Sequence, residues 1–194
     1  MKIPAYKDRA STYAKLWKTC EVDRVTEVDL AVEMIRSSKV QYEKIERITT
    51  VPAHIVGIIH YLEANCDFRC HLFNGDPLNY RTIQEPKGQP KLGSPPFTWE
   101  ESATAAIEYN KLHKWQDWTV PGICYILESY NGWGYFPTKI YSPYLWSFTS
   151  HYQRGKYTSD GVFDPTAISR QAGAMSIVRR MLDLNYLAMA PMWV

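Results

Sequence analysis

Three kinds of sequence signal are absent from this chain, and each absence narrows what the protein can do. No run of eighteen apolar residues occurs, so no segment is predicted to span a membrane. The opening residues MKIPAYKDRAST contain no apolar core, so we expect synthesis in the cytoplasm without a signal peptide. Neither a GxGxxG sequence nor a P-loop is present, and these are the motifs by which nucleotide cofactors are recognised. We therefore predict no cofactor.

An excess of one charge is also missing. The chain has 22 Lys and Arg residues against 20 Asp and Glu residues, a net charge of +2. This charge is too small to predict nucleic-acid binding, although it is compatible with an anionic polymer.

Cysteine is scarce, with four in the chain and no CxxC pair. Cys66 and Cys70 lie four residues apart, but only Asp67 and His71 stand nearby as further ligands, so no metal site is predicted. Free thiols are the favoured state. One disulfide stays open as an alternative for a protein that acts outside a reducing compartment.

Aromatic residues are abundant, since 7 Trp and 14 Tyr bring the aromatic fraction to 14%. Tyrosine and tryptophan combine an apolar face with a polar edge, which suits either a core or a groove that stacks on sugars. A length of 194 residues with 45% hydrophobic residues is sufficient for one domain with a sizeable core.

Apolar spacing of the helical kind dominates the chain, so we predict a mainly α fold, a helical bundle with one small β hairpin beside a substrate groove. A break is expected near Ser37-Ser38. A capping box at Thr98 and Glu101, a cap at Thr119 and a stop at Asn131-Gly132 mark helix ends. The predicted helices cover residues 6–22, 26–48, 52–63, 98–115, 120–130 and 143–151.

The hairpin is predicted at the turn Asn74-Gly75-Asp76-Pro77. Residues 85–98 are rich in Pro and Gly and are interpreted as a loop that Phe97 and Leu92 order. Asp164-Pro165 is predicted to open a last helix with an inward face, and the apolar tail LNYLAMAPMWV is expected to pack back on the body. The inward face comprises Ile168, Ala172, Met175 and Val178.

The stretch from Val51 to Gln84 carries the best candidate for chemistry. Glu63 ends an apolar helix, where poor solvation is expected to raise the pKa of its carboxyl. Asp76 follows in a polar turn, where it is expected to stay ionised, and Thr82 lies six residues further on. Glycoside hydrolysis needs an acid of raised pKa and an ionised carboxylate, and a hydroxyl can hold the attacking water. His60 could face Glu63, but a core histidine is the favoured interpretation.

These residues resemble the Glu/Asp/Thr catalytic constellation of phage-type lysozymes. The step from Asp76 to Thr82 matches that pattern, and the longer step of thirteen residues from Glu63 to Asp76 is closer to goose-type lysozymes. The segment Tyr130–Gly134 resembles the Tyr-Asn-Gly segment that borders the groove in goose-type lysozymes and lytic transglycosylases. The sequence IHYLEANCDFRCHLFNGDPL resembles bacterial and phage proteins described as lysozyme-like or peptidoglycan-directed.

The resemblance, which covers about residues 50–182, implies a muramidase that cleaves the β-1,4 bond between N-acetylmuramic acid and N-acetylglucosamine in peptidoglycan. Glu63 would be the general acid, Asp76 the base that activates water, and Thr82 would help to position that water. The spacing weakly favours inversion. The predicted groove residues are Tyr80, Asn131, Tyr135 and Trp146.

Three alternatives stay open. A lytic transglycosylase is disfavoured because Ala64 stands where that family usually has Ser after the catalytic Glu, and because Asp76 offers a second acid. A chitinase on the same scaffold and a glycan-binding module without catalysis are the others.

Residues 1–194 are interpreted as one lysozyme-like domain. Residues 50–182 form its catalytic core, and the helices of residues 1–48 are either part of that body or a docking lobe. Without a signal peptide the protein must reach the wall by a separate route. It could leave as a phage endolysin through a holin pore or as an effector through a secretion machine.

Overall fold

The computed structural model describes residues 3–138, 140–159 and 161–187. These residues are mainly helical with one small antiparallel hairpin, which confirms the coarse fold prediction. The helices are α1 (Tyr6–Lys18), α2 (Val25–Ser37), α3 (Lys39–Thr49), α4 (Ala53–Ala64), α5 (Trp99–Tyr109), α6 (Val120–Asn131), α7 (Pro143–Trp146) and α8 (Ala174–Asp183). Single 3-10 turns cover Leu112–Lys114 and Trp133–Tyr135, and the strands are β1 (Lys156–Ser159) and β2 (Val162–Asp164).

The chain divides into two compact units. One is continuous, residues 33–115, and the other combines the chain up to residue 32 with the chain from residue 116 onward. The boundary at residue 32 falls inside α2, away from the boundary near residue 48 expected for an N-terminal lobe.

In the continuous unit, α4 is the central element and packs on α3, which also contacts α5. The side chains of α4 are buried nearly all round, as its apolar sequence predicts. Gly57 permits a close approach, because a Cβ there would lie 2.5 Å from Cγ2 of Ile35 and 3.0 Å from the ring of Tyr42. His60 is a core histidine, as favoured from the sequence. It is fully buried, with Tyr42 Oη 3.0 Å from its Nδ1 and Trp99 Nε1 donating to its Nε2.

In the other unit, α1 packs along α6, and α7 joins α6 to α8. The hairpin pairs Lys156 with Asp164 and Tyr157 with Phe163, and a bulge follows Tyr157. The side-chain hydroxyl of Tyr135 accepts a hydrogen bond from the backbone N–H of Tyr157 at 3.0 Å, which ties the hairpin to the segment after α6.

The local signals for helix ends are correct. Thr98 and Glu101 form the reciprocal capping box, and the Thr119 hydroxyl accepts from the N–H of Gly122 at 3.3 Å. The break at Ser37-Ser38 separates α2 from α3, and α6 ends at Asn131 with Gly132 as its cap. These signals succeed because a cap is satisfied by residues within one turn.

The position of the hairpin was wrong. Around Asp76 there is an isolated bridge between Cys70 and Pro77, and the described strands lie instead at residues 156–164. Prolines at 77, 86, 90, 95 and 96 remove the N–H groups that a returning strand would need.

The last helix begins at Ala174 and not at the expected opening, Asp164-Pro165. The Asp164 carboxylate accepts from the N–H groups of Thr166 and Ala167, which closes a turn rather than opening a helix. Ile168 is 61% exposed, whereas Ala172, Met175 and Val178 are buried as predicted.

Of the two residues expected to order the loop of residues 85–98, only one is buried. Phe97 is buried, so it anchors the loop of residues 85–98 as expected, but Leu92 is 86% exposed and does not. Of the apolar tail, residues 188–194 lie outside the described part of the chain.

All four cysteines are free, which confirms the favoured thiol state. Within the described ranges, no helix is both long and apolar enough to cross a membrane.

Candidate functional site

Glu63 lies in the last turn of α4 and is half-buried. The turns before it are fully apolar or aromatic and reach the core of the unit. Asn65 ends the helix in the left-handed conformation, with φ of 50°, and its N–H bonds to the carbonyl of Tyr61 at 2.9 Å. The carboxyl is therefore carried at the end of a hydrophobic element.

The turn that contains Gly75 lies directly on the last turn of α4. A Cβ at position 75 would stand 2.5 Å from the carbonyl oxygen of Glu63, and Gly75 has φ of +76°. The N–H of Gly75 donates to the carbonyl of His71 at 2.9 Å, and the N–H of His71 donates to that of Asp76 at 2.6 Å. Only glycine fits this contact without displacement of one backbone or the other.

Asp76 is 3% exposed, and its carboxylate accepts four hydrogen bonds. Oδ2 receives the backbone N–H groups of Ile83 (2.8 Å) and Gln84 (2.9 Å) and the Asn74 amide (3.1 Å), while Oδ1 receives Gln84 Nε2 at 2.9 Å. Burial raises the pKa of Asp76, but these hydrogen bonds together outweigh it and hold the pKa below its ordinary value. The expected ionised state is therefore supported.

This environment differs from the one expected for a base. A group that takes a proton from water must reach that water, and a carboxylate with 3% exposure and four internal donors chiefly closes the loop of residues 74–84. We correct the expected role of Asp76 from water activation to positioning of the loop that contacts Glu63.

Thr82, like Asp76, is buried and makes its hydrogen bonds inside the loop. It is 3% exposed, and its hydroxyl donates to the carbonyl of Pro86 at 2.5 Å and accepts from the N–H of Gln89 at 2.9 Å. Its own N–H donates to the carbonyl of Gln89 at 2.8 Å. Both hydroxyl functions are thus used inside the loop, which replaces the expected water-positioning role.

His71 is a supporting residue that sequence reasoning missed. It is fully buried, and its Nε2 and Nδ1 lie 2.8 Å from the carbonyl of Tyr80 and the hydroxyl of Ser102. Since a carbonyl only accepts, Nε2 carries the proton, and Ser102 donates to Nδ1. Burial lowers the pKa of His71, so a neutral imidazole ties the loop to α5. No sequence spacing links these residues, because the contact spans 31 positions.

Of the predicted groove residues, Tyr80 belongs to this same unit and is 42% exposed. The nearby loop also exposes Ile83 and Leu92. Tyr80 is therefore open to a ligand while its backbone is held by His71.

The other predicted groove residues belong to the second unit. Asn131 is exposed at the end of α6, and Tyr135 is 8% exposed but lines a cavity of about 180 Å³. Trp146 is 1% exposed and sits in the core with its ring 5.3 Å from that of His151. We correct Trp146 from a groove residue to a core residue.

Glu128 in the same unit was also missed. It is 4% exposed at the end of the apolar run of α6, and it lines the cavity with Tyr135. The pattern that selected Glu63, an acid after a helical run of apolar residues, occurs again in ICYILE. The same sequence pattern therefore identifies Glu128 as a second candidate acid.

We expect the free energy of unfolding to depend on the charge state of Asp76. Since its folded-state pKa lies below the ordinary value, its stabilising effect is present above about pH 4 and is lost as the pH falls through the folded-state pKa. We expect Asp76→Asn to lower the free energy of unfolding at pH 7 by about 1–3 kcal/mol, and the deficit to shrink towards pH 3. Urea unfolding at both pH values measures this, with Glu108→Gln on exposed α5 as the control. A deficit that is constant with pH would contradict the assignment.

No group of three or more His, Cys, Asp or Glu side chains in the described ranges is arranged to hold a metal ion. Comparison with protein-family models, with curated proteins and with solved structures finds no match to the chain.

Proposed function

We propose that this protein is a peptidoglycan-cleaving glycosidase of the lysozyme-like kind, with Glu63 as its general acid. One observation carries the proposal: a loop closed by the buried carboxylate of Asp76 is seated on the carbonyl of Glu63 through Gly75. A half-buried carboxyl at the end of an apolar helix, beside a loop held by internal hydrogen bonds, supports a role in general-acid catalysis.

In the proposed reaction, the protonated Glu63 carboxyl donates its proton to the bridging oxygen of the β-1,4 bond as the bond to the anomeric carbon breaks. The positive charge that develops on the sugar is then quenched by a nucleophile, whose proton returns to the Glu63 carboxylate. Glu63 can act alternately as acid and base, so the cycle balances without a second titrating group. Asp76 and Thr82 then support the loop.

The nucleophile decides between two related activities. Water gives hydrolysis, which the departure at Ala64 favours. The 6-hydroxyl of the muramic acid itself gives a 1,6-anhydro product, as in a lytic transglycosylase. The burial of Asp76 favours this second candidate, since a carboxylate that accepts four internal hydrogen bonds is not available to activate a water for hydrolysis.

The experiment that tests the function is product analysis. We expect the full chain to release soluble muropeptides from purified peptidoglycan, and mass spectrometry after borohydride treatment to show reduced muramic ends for hydrolysis or anhydromuramic ends for transglycosylation. Chitin incubated in parallel tests the chitinase alternative. Sedimentation with the wall and no new ends of either kind would reject catalysis and support a binding module.

A further inference from the structure

The cavity of about 180 Å³ in the second unit has a mixed lining. Arg9 from α1 and Glu128 from α6 contribute charge, and the segment that follows α6 contributes the rest. Those other residues are Tyr135, Phe136, Thr138, Ile140 and Tyr141. None of them except Tyr135 belongs to the groove expected from the sequence.

Glu128 offers an unused acceptor. Its Oε2 accepts from the hydroxyl of Tyr13 and from Nη2 of Arg9 at 3.5 Å. Its Oε1 has no hydrogen-bond partner among residues 3–138, 140–159 and 161–187. Glu128 is only 4% exposed, but Oε1 is not one of the fully buried atoms that lack a partner in the described part of the chain, so this oxygen is open to the cavity. A hydroxyl or amide of a ligand in the cavity would satisfy it.

Within the described part of the chain, the two charged side chains that line the cavity favour a neutral ligand. The guanidinium of Arg9 and the carboxylate of Glu128 lie 3.5 Å apart and compensate each other, so the pair does not offset the desolvation of a charged ligand. The guanidinium is held in place by the rings of Tyr13 and Phe136, at 4.9 and 5.3 Å from their centroids. A neutral ligand with both donors and acceptors can use both groups.

The aromatic lining and the volume indicate a single sugar ring. Tyr141 is 41% exposed and Phe136 is 38% exposed, so both can offer apolar surface to the C–H face of a pyranose. The volume of about 180 Å³ is well below the ~300 Å³ at which pockets for drug-sized ligands begin. A disaccharide would have to extend outside.

We propose that this cavity binds one neutral pyranose ring, with Glu128 Oε1 as acceptor, Arg9 as donor and Tyr141 as the stacking surface. The choice of an N-acetylhexosamine as the sugar rests on the proposed function. The site itself is defined by its own lining, and binding there involves no cleavage.

The test measures binding of three monosaccharides to the full chain by ligand-observed NMR and calorimetry. N-acetylglucosamine, which is neutral, should bind saturably with a Kd on the order of 1 mM, near −4 kcal/mol. Cationic glucosamine and anionic glucuronate should each bind at least about fivefold more weakly, because each must desolvate a charge beside two charges that already compensate each other. Absence of saturation with N-acetylglucosamine, or tighter binding of either charged sugar, overturns the proposal.

Two variants locate the site. Tyr141→Ala, at a partly exposed ring, should weaken N-acetylglucosamine binding at least about fivefold, whereas Tyr109→Ala in the other unit should leave it unchanged. Glu128→Gln leaves Arg9 uncompensated and should shift preference towards glucuronate. Equal effects of Tyr141→Ala and Tyr109→Ala would overturn the assignment even if Glu128→Gln fails to fold. Binding that persists in Glu63→Gln separates this site from the proposed catalysis.

Discussion

Replacement of Glu63 with glutamine is expected to reduce peptidoglycan cleavage by about 10²–10⁴-fold, the contribution of a general acid. Glutamine keeps the size and hydrogen-bonding oxygen of the side chain but has no proton to give to the leaving oxygen. Because the site at the end of α4 is otherwise preserved, the folded structure should persist. The rate at which new glycan ends appear, measured by mass spectrometry, checks this.

The matched control is Glu108→Gln, which makes the same chemical change on an exposed position of α5 in the same unit. We expect that variant to cleave at the wild-type rate. Circular dichroism and thermal unfolding should be alike for the three proteins. Cleavage by Glu63→Gln within a few-fold of wild type would remove Glu63 from the reaction and leave the rest of the fold description intact.

Substitution of Gly75 by alanine should have the largest effect on stability among single-methyl changes in this loop. The new Cβ would stand 2.5 Å from the carbonyl oxygen of Glu63, in a backbone conformation with φ of +76°. The positive φ costs about 1 kcal/mol and the overlap about 1–3 kcal/mol more. We therefore expect a loss of about 2–4 kcal/mol in urea unfolding, which corresponds to several degrees in Tm.

Gly88→Ala separates the two contributions. Gly88 has φ of +71°, but the nearest atom to its added Cβ is the mobile Nζ of Lys91 at 3.2 Å. It should lose only the ~1 kcal/mol of backbone strain. If the overlap displaces Glu63 as well, the folded fraction of Gly75→Ala should cleave glycan more slowly than that of Gly88→Ala. Equal stability losses would show that the loop moves away from α4 without cost.

Most helix ends could be predicted from sequence because their determinants are local. The capping box at Thr98 and Glu101 and the stop at Asn131-Gly132 are complete within a few residues, so reading them needs no tertiary information. The hairpin could not be placed, because a turn signal such as Asn74–Pro77 specifies a reversal but not a partner strand.

The candidate site, like the fold, could be predicted only in part from the sequence. The position of Glu63 at the end of a buried helix follows from apolar periodicity in α4, which the sequence by itself determined. The ionised state of Asp76 was likewise predicted from its place in a polar turn, and the lowered pKa of its carboxyl agrees with that prediction. What Asp76 does there depends on donors seven and eight residues away and on its burial, and spacing cannot reveal either.

Only the tertiary structure decided which acids are buried and against what. Glu128 meets Tyr13 and Arg9 across 115 and 119 residues, and His71 meets Ser102 across 31. Such contacts depend on how helices pack, and helix periodicity specifies a face without naming its neighbour. The sequence therefore determined the helices, their ends and the acid at the end of α4, while packing decided the support of that acid and the lining of the cavity beside Glu128.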